Sequence, residues 1–227
     1  VTGIAAVIAN DSARYTLFWS CWNRLQLPEG WEQQALIGGD WCGARNTLVQ
    51  MTLASDAEYL WFMDDDHAFS PDILVKLLAH DLPLVVPVCF TRSAPFPPVD
   101  FVERVGDDKY LPLYLPDHEG EGLVELVAGG TAGMLIHRSV LEAMPGPYWF
   151  EYGVASEDIL FCNKAVELGF TLRCDLSTRL GHLTTAVVEP AYYDGQWVVG
   201  TRIGSYGAMT STLLPIETSK PSERVLV

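Results

Sequence analysis

The chain is short of positive charge. Fourteen lysines and arginines face twenty-nine aspartates and glutamates, a formal net charge of −15 over 227 residues. A duplex held chiefly through its phosphates is therefore a poor partner, although an acidic whole still permits one local basic groove. Paired cysteines are missing too. Cys21, Cys42, Cys89, Cys162 and Cys174 are odd in number and scattered, with no Cys-x-x-Cys among them. That argues against a zinc ribbon or a thiol redox motif and predicts small buried hydrophobes in a reducing compartment. No Gly-Lys dipeptide occurs, so the phosphate loop G-x-x-x-x-G-K-[ST] of the NTPases is absent. No run approaches eighteen uninterrupted apolar residues, and no signal-peptide pattern opens the chain; the expectation is a soluble, cytoplasmic protein without a membrane span.

What is present is enough apolar content, 49% of residues, for a sizeable core. Gly3 to Ala9 is a short β-branched run that reads as a buried strand, and Asn10-Asp11-Ser12 offers caps to a helix carrying Leu17, Cys21 and Leu25. A second strand is expected near Ala35 to Gly38. A helix follows over Gly43 to Ser55, with Ala44, Leu48, Met51 and Ser55 as its apolar stripe, and then a strand over Glu58 to Met63. Ser70-Pro71-Asp72 reads as a helix start, and Leu84 to Phe90 as a strand whose Pro87 suggests an edge or a bulge. Past Phe90 the rhythm breaks into segments read as loops. Strand character returns over Glu125 to His137, a helix follows from Arg138, another spans Ser156 to Leu168 and stops at Gly169, and a strand takes Phe170 to Cys174. The alternation predicts an α/β fold: a mainly parallel central sheet with helices on both faces and a small added antiparallel element. Residues 1–190 form the expected domain. Residues 191–227 form a C-terminal extension ending in the polar tail ETSKPSER.

Four motifs bear on chemistry. Asp64-Asp65-Asp66 closes an apolar strand; on one face of an extended segment, Asp64 and Asp66 stand roughly 7 Å apart. Their repulsion is about 2 kcal/mol at intermediate dielectric. A divalent cation would offset it, and hard carboxylate oxygens suit Mg²⁺ or Mn²⁺; the plainer alternative is a solvated acidic turn. Ser156-Glu157-Asp158 reads either as a cap with two acids at a helix's positive end or as a source of a general base. His182 is either structural or a metal ligand beside the carboxylates. Arg45, in Ala44-Arg45-Asn46, is either a solvated helix residue or a forked donor to a diphosphate.

In this order, ARN, a strand closing in DDD, GGTAGMLIHRSVL, SED and GH, the chain from Gly3 to Thr185 resembles the GT-A family of nucleotide-sugar glycosyltransferases, in particular compact bacterial or phage-type enzymes. The resemblance implies a Rossmann-like GT-A fold and transfer of a sugar from a nucleotide-diphosphate donor, UDP-linked by preference, to an acceptor hydroxyl. It implies Asp64, Asp66 and His182 as ligands of Mn²⁺ or Mg²⁺, and Ala9, Asn10, Arg45, Asn46, Asp64 and Asp65 at the donor. Asp158, with Glu157 beside it, becomes the catalytic base. Where many relatives end the first strand Pro-Thr-Tyr-Asn, this chain has Ile8-Ala9-Asn10-Asp11. Trp149, Phe150, Tyr152 and the APFPP loop are expected to stack on a sugar ring or a nucleobase of the acceptor, a glycan or protein first and a hydroxymethylated base of phage DNA second. The readings from other classes are a nucleotidyltransferase and a catalytically inactive nucleotide-sugar-binding module.

Overall fold

The structure, a computed structural model, describes residues 1–9, 15–92, 96–106, 109–205 and 208–215. The expected caps at Asn10 to Ser12, the donor contact at Asn10, part of the APFPP loop and the tail from 216 onward lie outside the described residues. The described chain divides into two compact units. The first comprises Val1–Thr91 and Pro97–Leu183, and the second runs from Thr184 with the short stretch beginning at Arg92.

The first unit carries strands β1 (Gly3–Ala9), β2 (Trp31–Ile37), β3 (Tyr59–Asp64), β4 (His67–Ala68), β5 (Leu84–Val88), β6 (Phe101–Gly106), β7 (Lys109–Pro112), β8 (Leu123–Leu126), β9 (Leu135–His137), β10 (Leu172–Arg179) and β11 (Gly181–His182). Its helices are α1 (Thr16–Trp22), α2 (Trp41–Ala54), α3 (Ile73–Leu78), α4 (Arg138–Ala143) and α5 (Glu157–Glu167). Seven strands form one sheet in the order β2-β1-β3-β9-β5-β10-β8, with only β9 and β8 running against the rest. The alternation of a strand sends successive side chains to opposite faces. Ile4, Ala6, Leu60 and Phe62 thus join one apolar cluster with residues of α2, α4 and α5, while Ala5, Val7, Trp61 and Met63 join another with α1 and α3. Both faces are covered, so the central strands are apolar throughout.

Several elements depart from the sequence reading. β2 starts at Trp31, ahead of the expected Ala35. α2 buries Cys42, Ala44, Arg45, Leu48, Val49 and Thr52, whereas Met51 and Ser55 are exposed; the buried face is turned toward a charged residue. β5 is an interior strand, and the irregularity that accommodates Pro87 lies in its neighbour: β10 shifts register between Asp175, opposite Pro87, and Arg179. A proline has no amide proton to give, and the partner strand bulges where the ladder is broken. Ser70 does not cap α3, which begins at Ile73 after Asp72. The stretch read as loops after Phe90 contains the antiparallel ribbon β6–β7. The second unit holds three antiparallel strands, β12 (Thr185–Tyr193), β13 (Gln196–Ser205) and β14 (Ala208–Pro215), which supply the added antiparallel element expected from the sequence. No helix among the described residues is long and apolar enough to cross a membrane.

The end of α2 is closed by a side chain from a distant part of the sequence. The Arg138 guanidinium donates to the carbonyls of Thr52, Leu53, Ser55 and Ala57 at 2.8–3.2 Å. Thr52 and Leu53 lie in the last turn, where a helix leaves carbonyls without intrahelical partners, and Ser55 and Ala57 follow it. Arg138→Ala should lower stability by about 1–3 kcal/mol, read as a shift of the urea midpoint with unchanged slope.

Candidate active site

β1 and β3 are parallel neighbours with Ile8 opposite Asp64, so their carboxyl ends open at the same edge of the sheet. There Ile8, Ala9, Gly39, Trp41, Asp64, Asp65 and Asp66 line one crevice. The carboxyl-terminal edge is where open α/β sheets hold ligands. Asp64 is partly exposed, whereas Asp65 and Asp66 are buried.

The three carboxylates are not left to repel one another. Arg45, only 2% exposed, is enclosed between two acids from different elements: Nη2 lies 3.4 Å from Asp64 Oδ1, and Nη1 donates to Glu157 Oε1. Its guanidinium also lies 5.9 Å from the centroid of the Trp41 ring and 5.8 Å from that of Phe150. Asp66 is met by imidazoles, with His67 Nδ1 2.9 Å from Oδ1 and His182 Nε2 3.5 Å from Oδ2. β4 and β11 pair His67 with His182, and the two rings stack at 4.4 Å. Burial alone would raise the Asp66 carboxyl; the His182 and His67 imidazoles outweigh it and hold the group well below the usual carboxylate range. Burial would lower both imidazoles, but Asp66 and the Cys89 thiol raise His67 to about 10 and His182 to about 9.

His182 Nδ1 faces the Phe90 carbonyl at 2.8 Å. Donation there orients the ring and aims Nε2 at Asp66, the way a ligating imidazole is commonly oriented. Cys89 sits against the same pair. Burial would raise its thiol, but His182 and His67 bring it down to about 7.

At the start of α5, Asp158 Oδ1 accepts from the Ser156 hydroxyl and from Ile159 N at 2.8 Å. The Ser156 hydroxyl is therefore directed at Asp158 and makes no cap to the helix backbone. Burial raises the Asp158 carboxyl, and Glu157 adds to this against the opposing pull of Ser156, so the group stays above its ordinary value. Asp158 lines a cleft of about 320 Å³ whose other walls include Pro97, Pro98, Val99, Phe101 and Ile159.

The crevice thus brings Ala9 together with Asp64, Asp65 and Asp66, His182 meets Asp66, and Arg45 with Glu157 stands behind Asp64. Other expected contacts are engaged elsewhere. Asn46 clamps the backbone of Phe150 through both ends of its amide, donating to the carbonyl at 2.7 Å and accepting from the amide at 2.9 Å. Trp149 is buried, its indole N–H donating to the Leu141 carbonyl at 2.9 Å, and so presents no face to an acceptor. Tyr152 is exposed beside Asp40, the residue that caps α2. His67 and Cys89 were not singled out from the sequence. His67 merely adjoins the acidic run, and nothing local to Cys89 distinguishes it from the four other buried cysteines.

Asn46→Ala should lower stability by about 2 kcal/mol in chemical unfolding, because it leaves both backbone groups of Phe150 unpaired.

No protein-family model and no curated protein matches the sequence. Solved structures do. A197 from STIV superposes with a TM-score of 0.54 at 12% identity, over 96% of this chain and 97% of that one. GalNAc-T7, crystallised with UDP, GalNAc and Mn²⁺, superposes with a TM-score of 0.55 at 12% identity, over 85% of this chain and 44% of its own. At such identity the likeness speaks to architecture alone, and the architecture is a GT-A-like α/β fold.

Proposed function

We propose that the protein is a metal-dependent glycosyltransferase that moves a sugar from a nucleotide-diphosphate donor, UDP-linked by preference, to a hydroxyl of a glycan or protein. The observation that carries this reading is the carboxylate-lined crevice at the ends of β1 and β3. It lies in a fold shared with a protein crystallised with UDP, GalNAc and Mn²⁺. The donor set fits a divalent ion: Asp66 Oδ2 and the oriented His182 Nε2 already converge, and Asp64 opens on the same crevice. Asp64, Asp66 and His182 would hold the ion, which supplies Lewis-acid neutralisation of the departing diphosphate.

The chain's own residues do the rest. Asp158, ionised, takes the proton of the acceptor hydroxyl as its oxygen bonds to the anomeric carbon and the bond to the diphosphate oxygen breaks. Glu157 is bound to Arg45, so its work is positional: it ties the first turn of α5 to the end of β3. Arg45 correspondingly orients Asp64 from behind. Asp65 and Ala9 contribute to the crevice wall on which the nucleotide rests.

A base must be ionised to act, and the Asp158 carboxyl is raised. The rate of transfer should therefore climb with pH through a limb lying above the ordinary aspartate value of about 3.9. Asp158→Asn should lower transfer by at least roughly a hundredfold and remove that limb, while Mn²⁺-dependent stabilisation by UDP-sugars in thermal-shift assays persists. Asp66→Ala should abolish the stabilisation itself. Normal transfer by the first variant returns Asp158 to helix capping, and undiminished Mn²⁺ dependence in the second rejects the metal assignment.

A further inference from the structure

Two side chains beside the candidate metal ligands have no part in the proposed reaction. His67 and Cys89 are both buried, and with His182 they bring three ligand atoms within 4.8 Å of one another. The backbone fixes the grouping. His67 is paired with His182 in the β4–β11 ladder, Leu183 N donates to the Asp66 carbonyl at 2.7 Å, and Leu180 N donates to the Val88 carbonyl at 3.0 Å. That last bond holds the segment leading into His182 against the strand end that carries Cys89. Two imidazoles, a thiol and a carboxylate sharing a buried space carry a desolvation cost that an apolar filling would avoid. His67 Nδ1 lies 2.9 Å from Asp66 Oδ1 yet out of hydrogen-bonding alignment, leaving a buried ring nitrogen without a hydrogen bond.

We propose that His67, Cys89 and His182 form a binding site for a zinc-class ion, with Asp66 as a fourth ligand. The donors decide the class. Thiolate and imidazole together favour Zn²⁺ or Co²⁺, whereas Mg²⁺ and Mn²⁺ prefer oxygen. A four-coordinate Zn²⁺ holds its ligands at roughly 2.0–2.3 Å, which sets donor atoms about 3.5 Å apart. From within 4.8 Å that is a closure side chains make by rotation. The thiol proton, and any proton on the ligating imidazole nitrogens, leaves to solvent as the ion binds. His182 belongs both to this site and to the one proposed for the diphosphate ion, so the two ions compete for Nε2. That competition rests on the glycosyl-transfer reading; the zinc-class site does not.

The test uses the metal-free full chain titrated with Co²⁺ in the absence of nucleotide sugar. The expected result is one bound equivalent with a near-ultraviolet thiolate-to-cobalt charge-transfer band, discharged by Zn²⁺. The band is lost in Cys89→Ser and retained in Asp64→Ala, and His67→Gln weakens Zn²⁺ binding at least about tenfold. Circular dichroism checks each variant, with Cys89→Ala in reserve if the serine variant does not fold. Absence of the band in the wild type, or equal Zn²⁺ affinity of wild type and a folded Cys89 variant by native mass spectrometry, overturns the site. Mn²⁺-dependent donor turnover without the band removes the zinc-class site alone, and the band without turnover supports it while removing the transferase reading.

Discussion

The arrangement of the candidate site depends on one buried guanidinium. Arg45 comes from α2, Asp64 ends β3 and Glu157 opens α5, and the three meet where water is scarce. Leaving such a cation without its anions costs several kcal/mol, so the helix, the strand and the second helix are obliged to converge. What this secures is position. With Glu157 fixed to Arg45, its neighbour Asp158 is delivered to the same end of the sheet as the acidic run, in a segment that otherwise has only the first turn of a helix to define it. The aromatic rings of Trp41 and Phe150 flank the guanidinium, and Asn46, one residue along α2, clamps the backbone of Phe150. α2 is therefore a scaffold of the site.

The same logic accounts for three consecutive aspartates at the end of an apolar strand. The repulsion between Asp64 and Asp66 invites a cation, and the protein supplies two kinds itself. Asp64 faces a permanently charged arginine, and Asp66 faces histidines whose charge can be given up. The difference bears on what each carboxylate can do. An arginine cannot be displaced by neutralisation, so Asp64 remains engaged from behind while its exposed side faces the crevice. An imidazolium can release its proton and present a lone pair, so the Asp66 end of the run is where the proposed ion would replace a proton.

How far this was legible in the sequence follows from the range of each interaction. Strand-helix alternation is a local pattern, and it gave β1, β3, α4 and α5 nearly at their observed limits, together with an α/β sheet covered on both faces. The acidic run and His182 could be singled out because residue type and position at a strand end carry chemical meaning, and the fold does bring His182 to Asp66. The contacts of Arg45, Asn46 and Trp149 were not visible, because each is made with a partner roughly a hundred residues away or by packing: Glu157, the Phe150 backbone, and a core that encloses the indole. Cys89 illustrates the same limit. Its four counterparts are buried too, and only the fold puts two imidazoles beside this one. The ribbon β6–β7 escaped because its strands are short and mostly exposed, which erases the alternation by which strands are read.

Charge also bears on which acceptor the proposed reaction would take. The cleft that contains Asp158 is walled by prolines, Val99, Phe101 and Ile159; among the described residues lining it, Asp158 is the one ionisable group and none is basic. A phosphorylated acceptor would set its own negative charge against that carboxylate, in a chain whose net charge is already −15, with no cation in the wall to offset it. Its approach would also raise the Asp158 carboxyl further and so hinder the ionisation on which its action as a base depends. A neutral acceptor has neither difficulty. The apolar faces of a sugar ring can rest on proline and aromatic surface while one hydroxyl is turned to the carboxylate. The physical chemistry of the cleft therefore favours a neutral glycan or a hydroxyl-bearing side chain over a base in duplex DNA.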